Sequence, residues 1–139
     1  MRIEHIALWS RDIERLRAFY AEYFGAVSNE KYVNAAKSFE SYFLTFAGGA
    51  RLEIMSAPGL ADRSGQADDS AAGIGVVERR FIGPAHFAVS VGSEETVDEL
   101  TRRLSADGHP VVGEPRRTGD GYYESVVLDP DGNRIEITV

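Results

Sequence analysis

The strongest constraint on what this chain can fold into is an internal repeat. The run HIALWSRDIERLRAFYAEYFGA, starting at His5, has a counterpart in HFAVSVGSEETVDELTRRLSADGH, starting at His86. Each opens with a histidine in a β-rich stretch and passes into a segment of helical period. In the first, Ile13, Leu16, Phe19, Tyr20, Tyr23 and Phe24 share one stripe, and Gly25 supplies a stop. In the second, Ser93 is placed as an N-cap, Glu94 and Glu95 occupy the first turn, and Val97, Leu100 and Leu104 form the stripe before Gly108. Two copies of one unit imply two similar modules, each helix covering one sheet.

After each helix come strand-like runs divided by turn residues. Module one offers 27–33, 41–47 and 51–56; module two offers 110–114, 122–129 and the closing RIEITV. AGGA joins the last two runs of the first set and DPDGN, 129–133, those of the second, with proline presetting φ and glycine or asparagine supplying positive φ. Each half therefore reads β-α-β-β-β, an α+β chain. A length of 139 residues fits one domain over 1–139, with module one at about 1–56, a connector at about 57–83 and module two at about 84–139. The connector is rich in Ala, Gly, Ser and Asp and is expected to be mobile in part. A net charge of −7 argues against a nucleic-acid partner, which requires a basic face. The absence of cysteine excludes disulfides and thiolate metal sites. Met1 to Ser10 is strand-like rather than a leader, and no run reaches the ~20 apolar residues of a membrane span, so a cytoplasmic location is expected.

Within this repeat four residues recur in register. Glu53 sits mid-strand in ARLEIMS and Glu136 mid-strand in GNRIEITV; His5 precedes Glu53 by 48 positions and His86 precedes Glu136 by 50. If the first and last strands of each module are neighbours, a histidine and a glutamate converge in each. The mostly apolar contexts HIALW and HFAVS suggest buried sheet, where an unpaired carboxylate is costly and a cation would offset the cost. Imidazole and carboxylate together suit Zn²⁺, Ni²⁺, Co²⁺, Mn²⁺ or Fe²⁺, and four protein ligands leave two octahedral positions open for water or substrate.

These marks, with the endings RLEIM and DPDGNRIEI, resemble the vicinal oxygen chelate superfamily, which includes glyoxalase I, methylmalonyl-CoA epimerase, extradiol dioxygenases and the fosfomycin and bleomycin resistance proteins. The resemblance implies a curved, half-barrel mixed sheet of two paired modules around a metal site. The ligand pattern is most similar to bacterial glyoxalase I, which implies one divalent ion per chain, Zn or Ni foremost, on His5, Glu53, His86 and Glu136. It further implies a lyase or isomerase of the lactoylglutathione lyase type, acting through a metal-stabilised enediolate on a small oxygenated substrate. Glu136 would be the base and Glu53 its pseudo-symmetric partner. The alternatives are a dioxygenase or thiol transferase using three of the ligands, or a resistance-type module that binds a small molecule without catalysis. In glyoxalase I the modules pair across a homodimer, which is the expectation here.

The sequence also departs from that pattern. Where glyoxalase I commonly carries an arginine and an asparagine against glutathione, this chain has Trp9 and Ala57. Trp9 shares the face of His5, as an aromatic wall of the substrate site or as core packing. Arg51 and Arg134 share the faces of Glu53 and Glu136, for an anionic substrate or for charge pairing. Tyr122 and Tyr123 are candidates to reach substrate. His109 is expected on the surface, and the pairs Arg79 and Arg80, and Arg116 and Arg117, in loops near the cavity.

Overall fold

The computed structural model describes residues 3–60, 85–119 and 121–139; from position 61 to 84 the connector, with Arg79 and Arg80, lies outside them. The first half runs β1 (His5–Trp9), α1 (Ile13–Phe24), β2 (Val27–Ser28), β3 (Tyr32–Asn34), β4 (Phe39–Thr45) and β5 (Arg51–Ser56). The second runs β6 (Phe87–Ser90), α2 (Glu94–Ala106), β7 (Val111–Arg117), β8 (Tyr123–Leu128) and β9 (Arg134–Thr138). One sheet has the order β1-β5-β4-β2, with β3 also on β4, and the other β6-β9-β8-β7. In each, the first strand pairs parallel with the last, a connection that needs a crossover, and the helix provides it. The fold is α+β, with two mixed sheets that do not close.

Local chemistry sets the boundaries. Asp12 caps α1 by accepting from the Arg15 amide at 2.9 Å, and Gly25 ends the helix at φ 63°. Ser93 caps α2 through the Thr96 amide at 3.2 Å, as its sequence position predicts. The run expected at 27–33 is broken into β2 and β3. At the break the Asn29 side chain accepts from the Phe43 amide at 2.8 Å, taking the place of a ladder bond. A short 3₁₀ turn at Ala35–Lys37, capped by Asn34, then starts β4 at Phe39 rather than at 41. β7 extends past Pro115 because it is an edge strand, with register shifts around the proline.

One core serves both halves. Leu16, Tyr20, Leu44 and Ile54 of the first meet Val97, Leu104, Val127, Ile135 and Ile137 of the second, and each fully buried aliphatic side chain contributes about 1.5–3 kcal/mol. Thr101 inside this core is satisfied by Ser125 at 2.6 Å. Helix α1 is the joint. Its Phe19 and Tyr23 rings pack on His109, at 4.8 and 5.1 Å between centroids, so the histidine expected at the surface is half-buried. Arg15 donates to Asp131 at 2.7 Å and Tyr20 to Asp129 at 2.7 Å, both in the DPDGN turn. Among the described residues, no helix is long and apolar enough to cross a membrane.

Candidate metal centre

The pleat that sends Leu52 and Ile54, and Ile135 and Ile137, into the core turns Glu53 and Glu136 to the opposite face of each sheet. There the register repeats. Glu53 lies across from Ala7, two residues after His5, and Glu136 lies across from Ala88, two residues after His86. The pairs expected from the sequence are therefore formed. His5 Nε2 stands 3.9 Å from Glu53 Oε2, and His86 Nε2 stands 3.1 Å from Glu136 Oε2. The carboxylates are largely covered, 15% and 21% exposed, and the imidazoles less so, at 41% and 43%. β1 and β6 are exposed edge strands rather than buried sheet: Ile6 is 38% exposed and, within β1, only Leu8 packs against the core.

The donors fit a divalent cation in kind and spacing. Two atoms bound to one ion at about 2.1 Å and a right angle lie roughly 3 Å apart, close to the His86–Glu136 separation and a small rotation from that of His5 and Glu53. Each pair offers one imidazole nitrogen and one carboxylate. Among the described residues no three His, Asp or Glu side chains gather into one metal-holding group, so the four expected ligands stand as two separate pairs.

The sequence reading missed Glu4. Its Oε2 bonds His5 Nδ1 at 2.6 Å, and its Oε1 accepts from Arg51 Nε at 2.9 Å. Those bonds, His5 first and Arg51 second, hold the Glu4 carboxyl below the usual carboxylate range. The Arg51 guanidinium lies over the Phe43 ring at 4.2 Å, and His5 meets the same ring edge-on at 5.3 Å. Arg51 is thus engaged in charge pairing. With Glu4 ionised, Nδ1 of His5 is the donor in that bond, and Nε2 is the ring nitrogen that faces Glu53.

The other candidates divide. Trp9 is 53% exposed and makes an edge contact with Phe39 at 6.2 Å, so it does not belong to the core. Arg134 shares the face of Glu136 by register. Tyr122 is exposed. Tyr123 lies on the α2 side of β8, its hydroxyl donating to Asp98 at 2.8 Å, away from the Glu136 face. Ala57 is half-buried just past β5. Arg116 and Arg117 stand on β7 and pair with Glu124 and Glu94 rather than lying in a loop.

Comparison with known proteins places the fold. The family model of the glyoxalase/bleomycin resistance protein/dioxygenase superfamily matches residues 2–137. Glyoxalase I from Zea mays superposes with a TM-score of 0.71 at 21% identity, covering 99% of this chain and 44% of the maize one, so the chain spans under half of that protein. The trypanothione-dependent glyoxalase I of Leishmania major gives 0.70 at 20% identity, covering 99% and 86%. A glyoxalase family protein from Enterococcus faecalis gives 0.73 at 21%, covering 99% and 97%. No curated protein matches. With the family model spanning nearly its whole length and its repeated βαβ halves superposing on these structures, the chain belongs to the glyoxalase/bleomycin resistance protein/dioxygenase superfamily.

Proposed function

We propose that this chain is a divalent-metal-dependent lyase or isomerase of the glyoxalase I type, acting on a small oxygenated substrate as a homodimer. The observation that carries the reading is the duplicated register, which sets an imidazole and a carboxylate at the same place in each module. Since the pairs within one chain do not meet in a group of three or more described donors, a second copy completes the site, module one of one protomer facing module two of its partner. An isologous dimer then holds two equal sites.

His5 and His86 would hold the ion through Nε2, and Glu53 and Glu136 through their carboxylates; Zn²⁺ or Ni²⁺ suits the set best, with Co²⁺, Mn²⁺ and Fe²⁺ as alternatives. When bound, the cation would supply positive charge beside the substrate's oxygens, acidifying the neighbouring C–H and offsetting the negative charge that develops as its proton leaves. Glu136 takes that proton on a carboxylate oxygen and returns it to the adjacent carbon, with no net change in composition. Glu53 faces it as the pseudo-symmetric partner. Glu4 keeps the ring of His5 in place, and the two sheet faces shield the reacting atoms from water.

Metal analysis on four samples tests this. The wild type should carry about one divalent ion per chain, and His5→Ala and His86→Ala should each lose it. Unfolding and refolding the two variants together should restore about a quarter of the occupancy, since random pairing makes half the dimers mixed and each mixed dimer has one intact site. No recovery on mixing would place both modules of a site in one chain. Air-sensitive Fe²⁺ in the wild type would favour the three-ligand dioxygenase reading, and no metal the non-catalytic binding module.

A further inference from the structure

The sheet face that bears His5 and Glu53 continues beyond them as an aromatic strip. Along β1 the positions on that face are His5, Ala7 and Trp9; across β5 they are Arg51, Glu53 and Met55; and across β4 they are Phe43, Ser41 and Phe39. β3 adds Tyr32, opposite Ser41. Trp9 and Tyr32 each meet Phe39 edge-on, at 6.2 and 6.1 Å, so the three rings form one continuous surface. Trp9 and Tyr32 are each 53% exposed. By the strand rise, Trp9 lies about 7 Å beyond the level of Glu53 and about 13 Å beyond that of His5.

The charge along this face is uneven. The cation and the extra carboxylate, Arg51 and Glu4, bond each other at the His5 end. From Glu53 toward Trp9 the register positions hold Met55, Ser41, Phe39 and Tyr32, with no carboxylate, amine or guanidinium among them. A charged substrate group lying there would lose water and gain no partner, whereas a flat apolar group would bury its faces on three rings. We infer that the substrate carries a neutral aromatic arm, two to four bonds from its chelating oxygens, which lies on Trp9, Phe39 and Tyr32. This rests on the metal-centre reading above and adds the class of substrate to it.

Trp9 is the chain's single tryptophan, so its emission reports on this strip alone. The probes are three hydroxamates that share one chelating head: acetohydroxamate with a methyl arm, 3-phenylpropanohydroxamate with a phenyl arm, and succinate monohydroxamate with a carboxylate arm. Titrated into the metal-loaded protein by calorimetry, the phenyl arm should bind on the order of tenfold more tightly than the other two and shift the Trp9 emission to the blue. In Phe39→Ala and in Trp9→Ala the ratio of phenyl-arm to methyl-arm affinity should fall toward one. Equal affinity for all three arms, or a preference that survives both substitutions, overturns the aromatic arm and leaves the metal centre standing. If no hydroxamate binds, the metal-centre reading fails and this inference fails with it.

Discussion

The phenolic hydroxyl of Tyr20, on α1 of module one, donates to Asp129 Oδ2 in the closing turn of module two at 2.7 Å, and both residues are buried. The same carboxylate accepts from the amides of Asp131 and Asn133 and from Asn133 Nδ2, at 2.8–2.9 Å. The DPDGN turn therefore shapes the β8–β9 hairpin and also latches the two modules. Burial, then the Asp129 charge, pushes the Tyr20 hydroxyl far above its ordinary range and keeps it a donor.

Removing that donor should weaken the latch without touching the two His–Glu pairs. Tyr20→Phe keeps the ring in the core but takes one of four bonds from a buried carboxylate, at a cost of about 1–3 kcal/mol. Asp129→Ala should cost more, because the turn loses its organiser and the Tyr20 hydroxyl its acceptor. Urea unfolding measures both. A Tyr20→Phe protein as stable as wild type would show that the hydroxyl contributes nothing net.

The Glu4 contact to His5 makes a second prediction. A carboxylate on the outer nitrogen fixes ring orientation and tautomer, and losing such a partner typically costs ten- to hundredfold in metal affinity. Glu4→Ala should fall in that range, while Glu4→Gln, whose amide oxygen still accepts from Nδ1, should recover most of the loss. Chelator competition gives the affinities, and ¹⁵N shifts of the His5 ring give the tautomer. Equal affinities in all three proteins would make Glu4 a surface residue only.

Glu14 sets an acid dependence. It pairs with Lys31 at 2.8 Å and accepts from the Tyr42 hydroxyl at 2.8 Å, and these bonds, Lys31 first, hold its carboxyl below the ordinary range. Its stabilising contribution is thus present above the unfolded-state carboxylate pKa and is lost as pH falls through the lowered folded value. Lys31 is raised by Glu14 and Glu40, so its contribution is present below the ordinary lysine pKa and lost as pH climbs through the raised value. Glu14→Gln should be slightly less stable than wild type near neutrality, the effect being small because the side chain is half exposed. The difference should shrink toward zero at acid pH, once the solution falls below the lowered folded value. A gap of constant size at both pH values would rule out ionisation as its cause.

Much of this was legible in the sequence, because a repeat fixes more than local propensity does. Once His5 and His86 open equivalent units, the parallel pairing of first and last strands brings each near its glutamate, and apolar alternation assigns Glu53 and Glu136 to the outer face. Three features escaped for physical reasons. Glu4 precedes the first strand residue, so alternation would place it opposite His5, whereas its carbonyl is held by the Arg51 amide and its carboxylate turns back to bond the His5 ring and the Arg51 guanidinium. Phe39 fell in an apparent gap, since the 3₁₀ turn that starts β4 is set by the Asn34 cap and not by hydrophobic period. His109 looked like a turn residue, and only the packing of α1 on module two gives it Phe19 and Tyr23 as neighbours.

The closing strand carries the last prediction. If Glu136 is both ligand and proton carrier, Glu136→Gln should keep the fold and much of the metal, because an amide oxygen still coordinates. It has no basic oxygen to take the substrate proton, so kcat should fall by about 10²–10⁴, the usual contribution of a positioned general base. The two half-sites also differ in geometry: His86 Nε2 lies 3.1 Å from Glu136, whereas His5 is anchored by Glu4 and stands 3.9 Å from Glu53. An anchored histidine beside a more distant carboxylate suits Glu53 to the structural half, so Glu53→Gln should cost less in kcat than Glu136→Gln at equal metal content. Measuring kcat and bound metal together on both variants decides it. Full turnover in metal-loaded Glu136→Gln would leave that residue a ligand only and move the proton transfer to Glu53 or to water.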